Sequence, residues 1–275
     1  MSTLSLAQPY LAVLAARFSL MLQYRTAALA GFVTQCWWGI IKIMVLAAFY
    51  AGGADQPITL SQAITYVWLG QAFLALLPWQ ADADISIAAE TGNVGYERLR
   101  PVDTHVLWLM RAIAWRVANA TLRAVPMFGI AALLLPVIGL RAWAWQPPAT
   151  LLASLMFALS ITLTVLLSST FTVLLNCAVV ALKTRRASNL APLFVNSLSG
   201  MVVPLVLLPA WAQGFLFWQP FAGLVDIPYR IYFGNLAGNA AFAGLFAQAL
   251  WTCVFFVLGR AWLSRVMNRI DMQGS

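Results

Sequence analysis

From Ala142 to Leu182 the chain carries no Asp, Glu, Lys or Arg, and then meets KTRR at 183–186. About 20 apolar residues already cross the ~30 Å hydrocarbon core of a bilayer as a helix. Such a run cannot be kept in water, and further long apolar runs precede and follow it. A soluble domain carries about 25% charged residues, whereas only 9% of this chain is charged and 62% is hydrophobic, with mean hydropathy +0.84. Most of its surface must therefore meet lipid. The runs are continuous rather than alternating, and each exceeds the ~10 residues of a barrel strand, so helices rather than a β-barrel are expected.

The expected architecture is an all-α polytopic membrane protein forming one transmembrane domain over 1–275. A helix over about 4–24 recurs with Leu11, Leu14, Phe18 and Met21 on one stripe and leaves Arg17 and Gln23 off it. This reads as an interfacial helix, the alternative being a simple extension of span one. Six spans follow, over about 27–50, 61–80, 106–139, 149–181, 188–209 and 240–263. The N-terminus does not read as a cleaved signal, because Arg17 and Arg25 come late and Lys42 lies inside the apolar run that follows. The first half of the long third span carries Arg111, Arg116 and Arg123, and reads as projecting beyond the membrane.

Charge sets the orientation. The N-terminus, 81–116, 183–186 and the C-terminus hold Arg17, Arg25, Arg98, Arg100, Arg111, Arg116, Lys183, Arg185, Arg186, Arg260, Arg265 and Arg269, while the opposite connections hold Arg141 and Arg230. Lys and Arg collect on the cytoplasmic side, so twelve against two puts both termini in the cytosol. The net charge of +8 is explained by this bias. A nucleic-acid partner is not expected, since no basic cluster alternates with aromatics as a strand-binding groove requires.

One polar stretch interrupts the apolar text: ETGNVGYERLRPVD, Glu90 to Asp103, with Asp84 just before it. It falls between spans two and three, in a cytosolic connection over 81–105. Acids near the start of ADADISIAAE suit a helix N-terminus, Gly92 and Gly95 permit a sharp turn, and Pro101 starts the next helix or extends the residue before it. The stretch reads as helix, turn, short helix, turn, helix, and such a compact unit can dock on a soluble partner, with Tyr96 and Leu99 as anchors and Glu97, Arg98 and Arg100 as a charged rim. The plain alternative is a solvated loop whose arginines only set topology.

Glu90, Gly92, Tyr96, Leu99, Arg100, Pro101 and Val102 resemble a motif of the permeases of type-2 ABC exporters, and of a six-span bacterial branch with an Leu-Arg-Pro-Val or Leu-Arg-Pro-Leu signature. Ser199, Gly200, Pro204, Pro209, Trp211, Pro220 and Phe221 are similar to that superfamily's pattern in span five and the hairpin after it. The resemblance covers the whole chain. It implies a permease subunit in the bacterial inner membrane, paired with a second permease, identical or related, and with two ATPase subunits that carry the ATP and Mg. The segment with Glu90, Gly92, Tyr96, Glu97, Arg98, Leu99, Arg100 and Pro101 would be the coupling element. An extracellular re-entrant hairpin over 211–236 would form a gate with Pro204, Pro209, Trp211, Pro220, Phe221, Asp226 and Arg230. The segment is too apolar for a plain loop, yet Gly214, Pro220, Gly223 and Pro228 interrupt it too often for a span. Two short helices with a turn near Gln219-Pro220 are expected.

The chain carries no nucleotide site of the P-loop kind. Such a loop needs Gly-Lys-Ser/Thr, and Lys42 and Lys183 follow Ile41 and Leu182. No cofactor, metal site or enzymatic activity is expected of the chain itself. Cys36, Cys177 and Cys253 are scattered in apolar runs, and a single histidine, His105, builds no site alone. Lys42 either faces the translocation path or snorkels to the headgroups. Asn189, Asn196, Ser197 and Ser199 either line the path or bond neighbouring helices. Asp226 and Arg230 are spaced for a local ion pair, and Arg123 sits near the inner interface or pairs with a partner's acid. An exporter of an amphiphilic or drug-like substrate is the leading expectation. A membrane-embedded lipid-modifying enzyme would need acids, His or Cys converging at a membrane face. An ion-coupled secondary transporter would need a carboxylate within a span, and the chain shows no internal repeat.

Overall fold

The computed structural model describes residues 3–23, 25–52 and 57–271. Among them the chain is all-helical, with ten helices and no strand. These are α1 (Thr3–Gln23), α2 (Arg25–Ala51), α3 (Leu60–Ala72), α4 (Ala83–Glu90) and α5 (Thr104–Val137). They continue with α6 (Leu151–Leu182), α7 (Ala191–Leu198), α8 (Ala210–Trp218), α9 (Asp226–Tyr232) and α10 (Asn239–Asp271). Four of them, α2, α5, α6 and α10, are long and apolar enough to cross a membrane. Their outer faces carry exposed Leu29, Val33, Trp37 and Phe49 on α2, Leu151, Leu155 and Leu159 on α6, and Phe242, Phe246 and Val257 on α10. Water would make such faces a liability and lipid makes them ordinary, so the protein is a membrane protein.

Local chemistry sets the ends of these helices. Thr59 and Gln62 form a reciprocal capping box at the start of α3, which satisfies two N–H groups that a helix start leaves free. Asp82 accepts from the N–H groups of Asp84 and Ile85 to start α4, Asp103 accepts from Val106 to start α5, and Thr150 accepts from Ala153 to start α6. α5 holds Pro126 and passes through a π-helical stretch at Gly129–Leu134. A proline removes one ladder donor, and a wider turn absorbs the mismatch.

α10 packs along α6, α1 is held along α5, and α2 packs against α3. One cluster joins α4, α5, α6 and α10 around Trp108, Val173, Cys177 and Leu263, and another joins α2, α3 and α5 around Ile43, Trp68 and Met127.

Two stretches expected as continuous spans are broken. Over 61–80, helix α3 stops at Ala72, a 3-10 turn covers Leu74–Leu76, and Leu77 is extended at φ −74°, ψ 143°. Leu77 precedes Pro78, whose ring excludes the helical conformation from the residue before it. Over 188–209, α7 lasts only for Ala191–Leu198, and a second short turn forms at Leu205–Leu207. Here Gly200 takes φ +87°, and Pro204 and Pro209 prevent the helix from resuming through them. In the first half of α5, Arg111 and Arg116 are buried, at 6% and 3% exposure.

Candidate functional site

The polar stretch folds as α4, a left-handed turn at Gly92 (φ +78°), a 3-10 run over Asn93–Leu99, and an extended Arg100 before Pro101. The turn needs a residue without a Cβ, because an L side chain at that φ is strained. The acids of the stretch are largely taken by the chain's own arginines. Arg111 Nη2 lies 3.2 Å from Asp82 Oδ1 and 3.1 Å from Asp84 Oδ2, and Arg111 Nη1 is 3.9 Å from Glu97 Oε1. Arg17 of α1 donates to the same Asp84 oxygen. Glu90 holds Arg185 at 3.1 Å, which ties the stretch to the KTRR segment, and Asp103 holds Arg260 of α10 at 3.0 Å. The Arg17 hydrogen bond keeps the Asp84 carboxyl below its usual range, against the smaller opposite effect of burial.

What remains outward is a small mixed patch. Tyr96 is 68% exposed and Leu99 78% exposed, with exposed Pro101 beside them. Arg100 reaches Glu97 at 3.5 Å but stays half in solvent. The Arg98 side chain lies outside the described residues. The structure therefore gathers Glu90, Gly92, Tyr96, Glu97, Leu99, Arg100 and Pro101 on one unit, with Glu90 and Glu97 engaged by their own chain.

Arg116 is the site's hidden member. Its guanidinium donates to Leu76 O (3.2 Å), Ser168 Oγ (2.6 Å), Ala112 O (3.1 Å) and Thr172 Oγ1. Among the described residues no carboxylate pairs with it. The carbonyl of Leu76 is freed where the α3 segment ends, and a helix C-terminus presents unpaired carbonyls with partial negative charge. A buried cation at that place closes the broken span from within. Between this arginine, Arg111, Arg17, Asp82, Asp84 and Trp115 lies a cavity of about 290 Å³.

The second broken region is stitched by neutral groups. Tyr66 Oη donates to Gly200 O at 2.8 Å, and Gln219 Nε2 donates to Leu198 O at 2.7 Å. Gln213 Nε2 reaches the carbonyls of Leu205, Val206 and Leu208 within 3.2 Å. Asp226, 1% exposed, accepts from Leu205 N–H at 3.2 Å and from Arg230 at 3.3 Å, while its own N–H donates to Ser199 O. The expected ion pair is present, and it also holds the unwound segment. Two short helices, α8 and α9, flank the expected break at Gln219, and Pro220 opens a 3-10 turn between them. Phe221 wedges against Phe171 and Phe194, at ring separations of 5.4 and 6.0 Å. Trp211 is exposed at the start of α8, after Pro209, and Pro204 precedes the Leu205–Leu207 turn.

The residues expected along a path do not all meet. Lys42 lines a groove between α2, α3 and the 201–207 segment. Asn189 is exposed, Asn196 is half-buried and Ser199 is buried, and none of the three lines that groove. Tyr66 and Gln71 escaped the reading of the sequence, and Arg116 was read there only as a charge that sets orientation. Gln248 of α10 escaped it too; it donates to Gly223 O (2.7 Å) and accepts from Ser160 Oγ (2.8 Å) of α6. Amides and hydroxyls standing alone within apolar runs were the available signal.

Among the described residues no three His, Cys, Asp or Glu side chains gather as a metal site, and Cys36, Cys177 and Cys253 are free thiols. Comparison with protein-family models, curated proteins and solved structures finds no significant match to this chain.

Proposed function

We propose that the chain is the transmembrane permease subunit of an ATP-driven ABC exporter of the bacterial inner membrane. Two separate ATPase subunits would carry ATP and Mg, and a second permease, identical or related, would complete the complex. In this reading α3 with its 3-10 extension and α7 through Leu208 count as spans two and five. With α2, α5, α6 and α10 they make six, both termini are cytosolic by the twelve-to-two charge bias, and α8 and α9 form an extracellular re-entrant hairpin. The hydrogen bonds of Tyr66, Gln213, Gln219 and Arg116 to freed carbonyls support it, since irregular backbone at membrane depth must be satisfied by protein.

The observation that carries the proposal is the outward patch of Tyr96, Leu99 and Arg100 on a unit whose acids point to its own arginines. Two exposed apolar side chains held rigidly beside a charge form an anchor for a protein groove. The arginines beneath the patch belong to α1, α5 and α10 and to the KTRR segment, so a push on it reaches several helices at once. The test is co-purification with a nucleotide-hydrolysing subunit from the native host. The double substitution Tyr96→Ser, Leu99→Ser should leave membrane insertion intact and abolish both co-purification and substrate-stimulated ATP hydrolysis. Unchanged co-purification and stimulation would sink the docking claim.

A further inference from the structure

The Lys42 groove has a composition that selects a ligand. Its volume is about 300 Å³, at the lower end of small-molecule sites. Trp38, Val45, Met201 and Pro204 make its walls apolar, and among the described residues no Asp or Glu lines it. The two phenols at its margin are already committed: Tyr50 donates to Ile58 O at 2.7 Å and Tyr66 to Gly200 O. Asp226, behind Gly200, is taken by Arg230 and Leu205 N–H. Two polar side chains in the groove are unengaged. Lys42 is half-buried and makes no ion pair or hydrogen bond with the described residues, and Gln71, 3% exposed, makes none with its amide. A cation within a span is costly unless something answers it, and a buried amide left without a partner is costly too.

We infer that this groove binds the acidic head group of an anionic amphiphile, with Lys42 Nζ on an acid oxygen, the Gln71 amide on a second oxygen, and the tail along Trp38, Val45 and Met201. The inference rests on the exporter reading for its role, because it makes an anionic amphiphile the substrate class. A carboxylate meets both unengaged donors, whereas a cationic amphiphile would face Lys42 with no compensating acid. The floor of the groove is the 201–207 segment, so a bound head group would sit against backbone outside the α-helices. That backbone is tied by Tyr66 and Asp226 rather than by a helical ladder.

The purified full chain in phosphatidylcholine nanodiscs, titrated with cis-parinaric acid and read by energy transfer from tryptophan, tests this directly. The acid should bind saturably, and its methyl ester about tenfold more weakly, because only the acid makes charge-assisted hydrogen bonds. Lys42→Gln should weaken the acid about tenfold and leave the ester unchanged, while Lys42→Arg should stay within about threefold of wild type. Gln71→Leu should weaken the acid by a smaller factor without touching the ester, which keeps the test decisive if Lys42→Gln folds poorly. Equal affinity for acid and ester, or an acid affinity unaffected in both Lys42→Gln and Gln71→Leu, would overturn the inference. The assay uses this chain alone. Its failure leaves the ATPase pairing standing, and intact binding without an ATPase partner would remove the exporter reading and keep the site.

Discussion

The stretches 82–103 and 198–232 both interrupt helices, and they heal the interruption with opposite chemistry. The first uses full charges: Asp82, Asp84, Glu90, Glu97 and Asp103 against Arg17, Arg111, Arg185 and Arg260. The second uses mainly neutral groups, with Tyr66, Gln213 and Gln219 on bare carbonyls and a single buried carboxylate at Asp226. The difference follows from the surroundings. The Glu90–Arg185 and Asp103–Arg260 pairs are exposed, and such pairs cost little to form and contribute little, while the buried Arg111 is shared by Asp82, Asp84 and Glu97. An isolated charge deep in an apolar environment is costly, so a region walled by Leu167, Val195 and Tyr229 is restricted to amides, phenols and one tightly held pair.

That contrast is broken most directly at Asp226. Asp226→Leu removes the partner of Arg230 and the acceptor of Leu205 N–H together, and a buried pair broken on one side costs about 3–5 kcal/mol. A large loss of thermal stability in detergent is expected, with Asp226→Asn intermediate. A Leu variant as stable as wild type would show the pair to be idle. Gly200→Ala comes next. The residue sits at φ +87°, and an added Cβ would lie 2.8 Å from Tyr66 Oη, so strain plus a displaced hydrogen bond should cost about 2–3 kcal/mol. Tyr66→Phe in the same background should recover part of it by freeing that space.

The charged region should yield smaller effects. Glu90→Gln separates an exposed pair with Arg185 and should cost no more than about 1 kcal/mol at low salt, less at high salt. Its consequence should be read in coupling between the 91–101 unit and the KTRR segment, by site-specific labelling at Lys183. A stability loss as large as that of Asp226→Leu would erase the distinction between the two regions.

The smallest effect concerns pH. Because the folded carboxyl of Asp84 is held below its usual value, its contribution is fully present above the unfolded carboxylate range, about pH 4. It is lost as pH falls through the folded value. Asp84→Asn should therefore lower stability slightly at pH 7 and make the acid limb below about pH 4 shallower. An acid limb identical to wild type would mean that Arg17 and Arg111 do not depend on Asp84.

The long helices were legible in the sequence because a charge-free run leaves a bilayer span as the one inexpensive arrangement; α6 followed it to within two residues, while α10 began where expected and ran on past 263 to Asp271. The polar stretch was legible too: the N-terminal acids of α4, the Gly92 turn and the extended residue before Pro101 are all local chemistry. So were the break at Gln219-Pro220 and the spacing of Asp226 and Arg230. Pro78, Gly200, Pro204 and Pro209 stood in view as well, yet hydropathy averaged over them and two broken segments were read as whole spans. The remainder depends on contacts between residues far apart in the chain. No local pattern announces that Arg116 caps a carbonyl forty residues away, that Tyr66 fills the space over Gly200, or that Gln248 reaches Gly223. Lys42 was visible as a costly charge, but only the packing of α2, α3 and the 201–207 segment put it beside Gln71 in one groove. Burial and hydrogen-bond satisfaction are properties of the assembled helices, and they decided which polar residues hold the fold together and which are left unengaged.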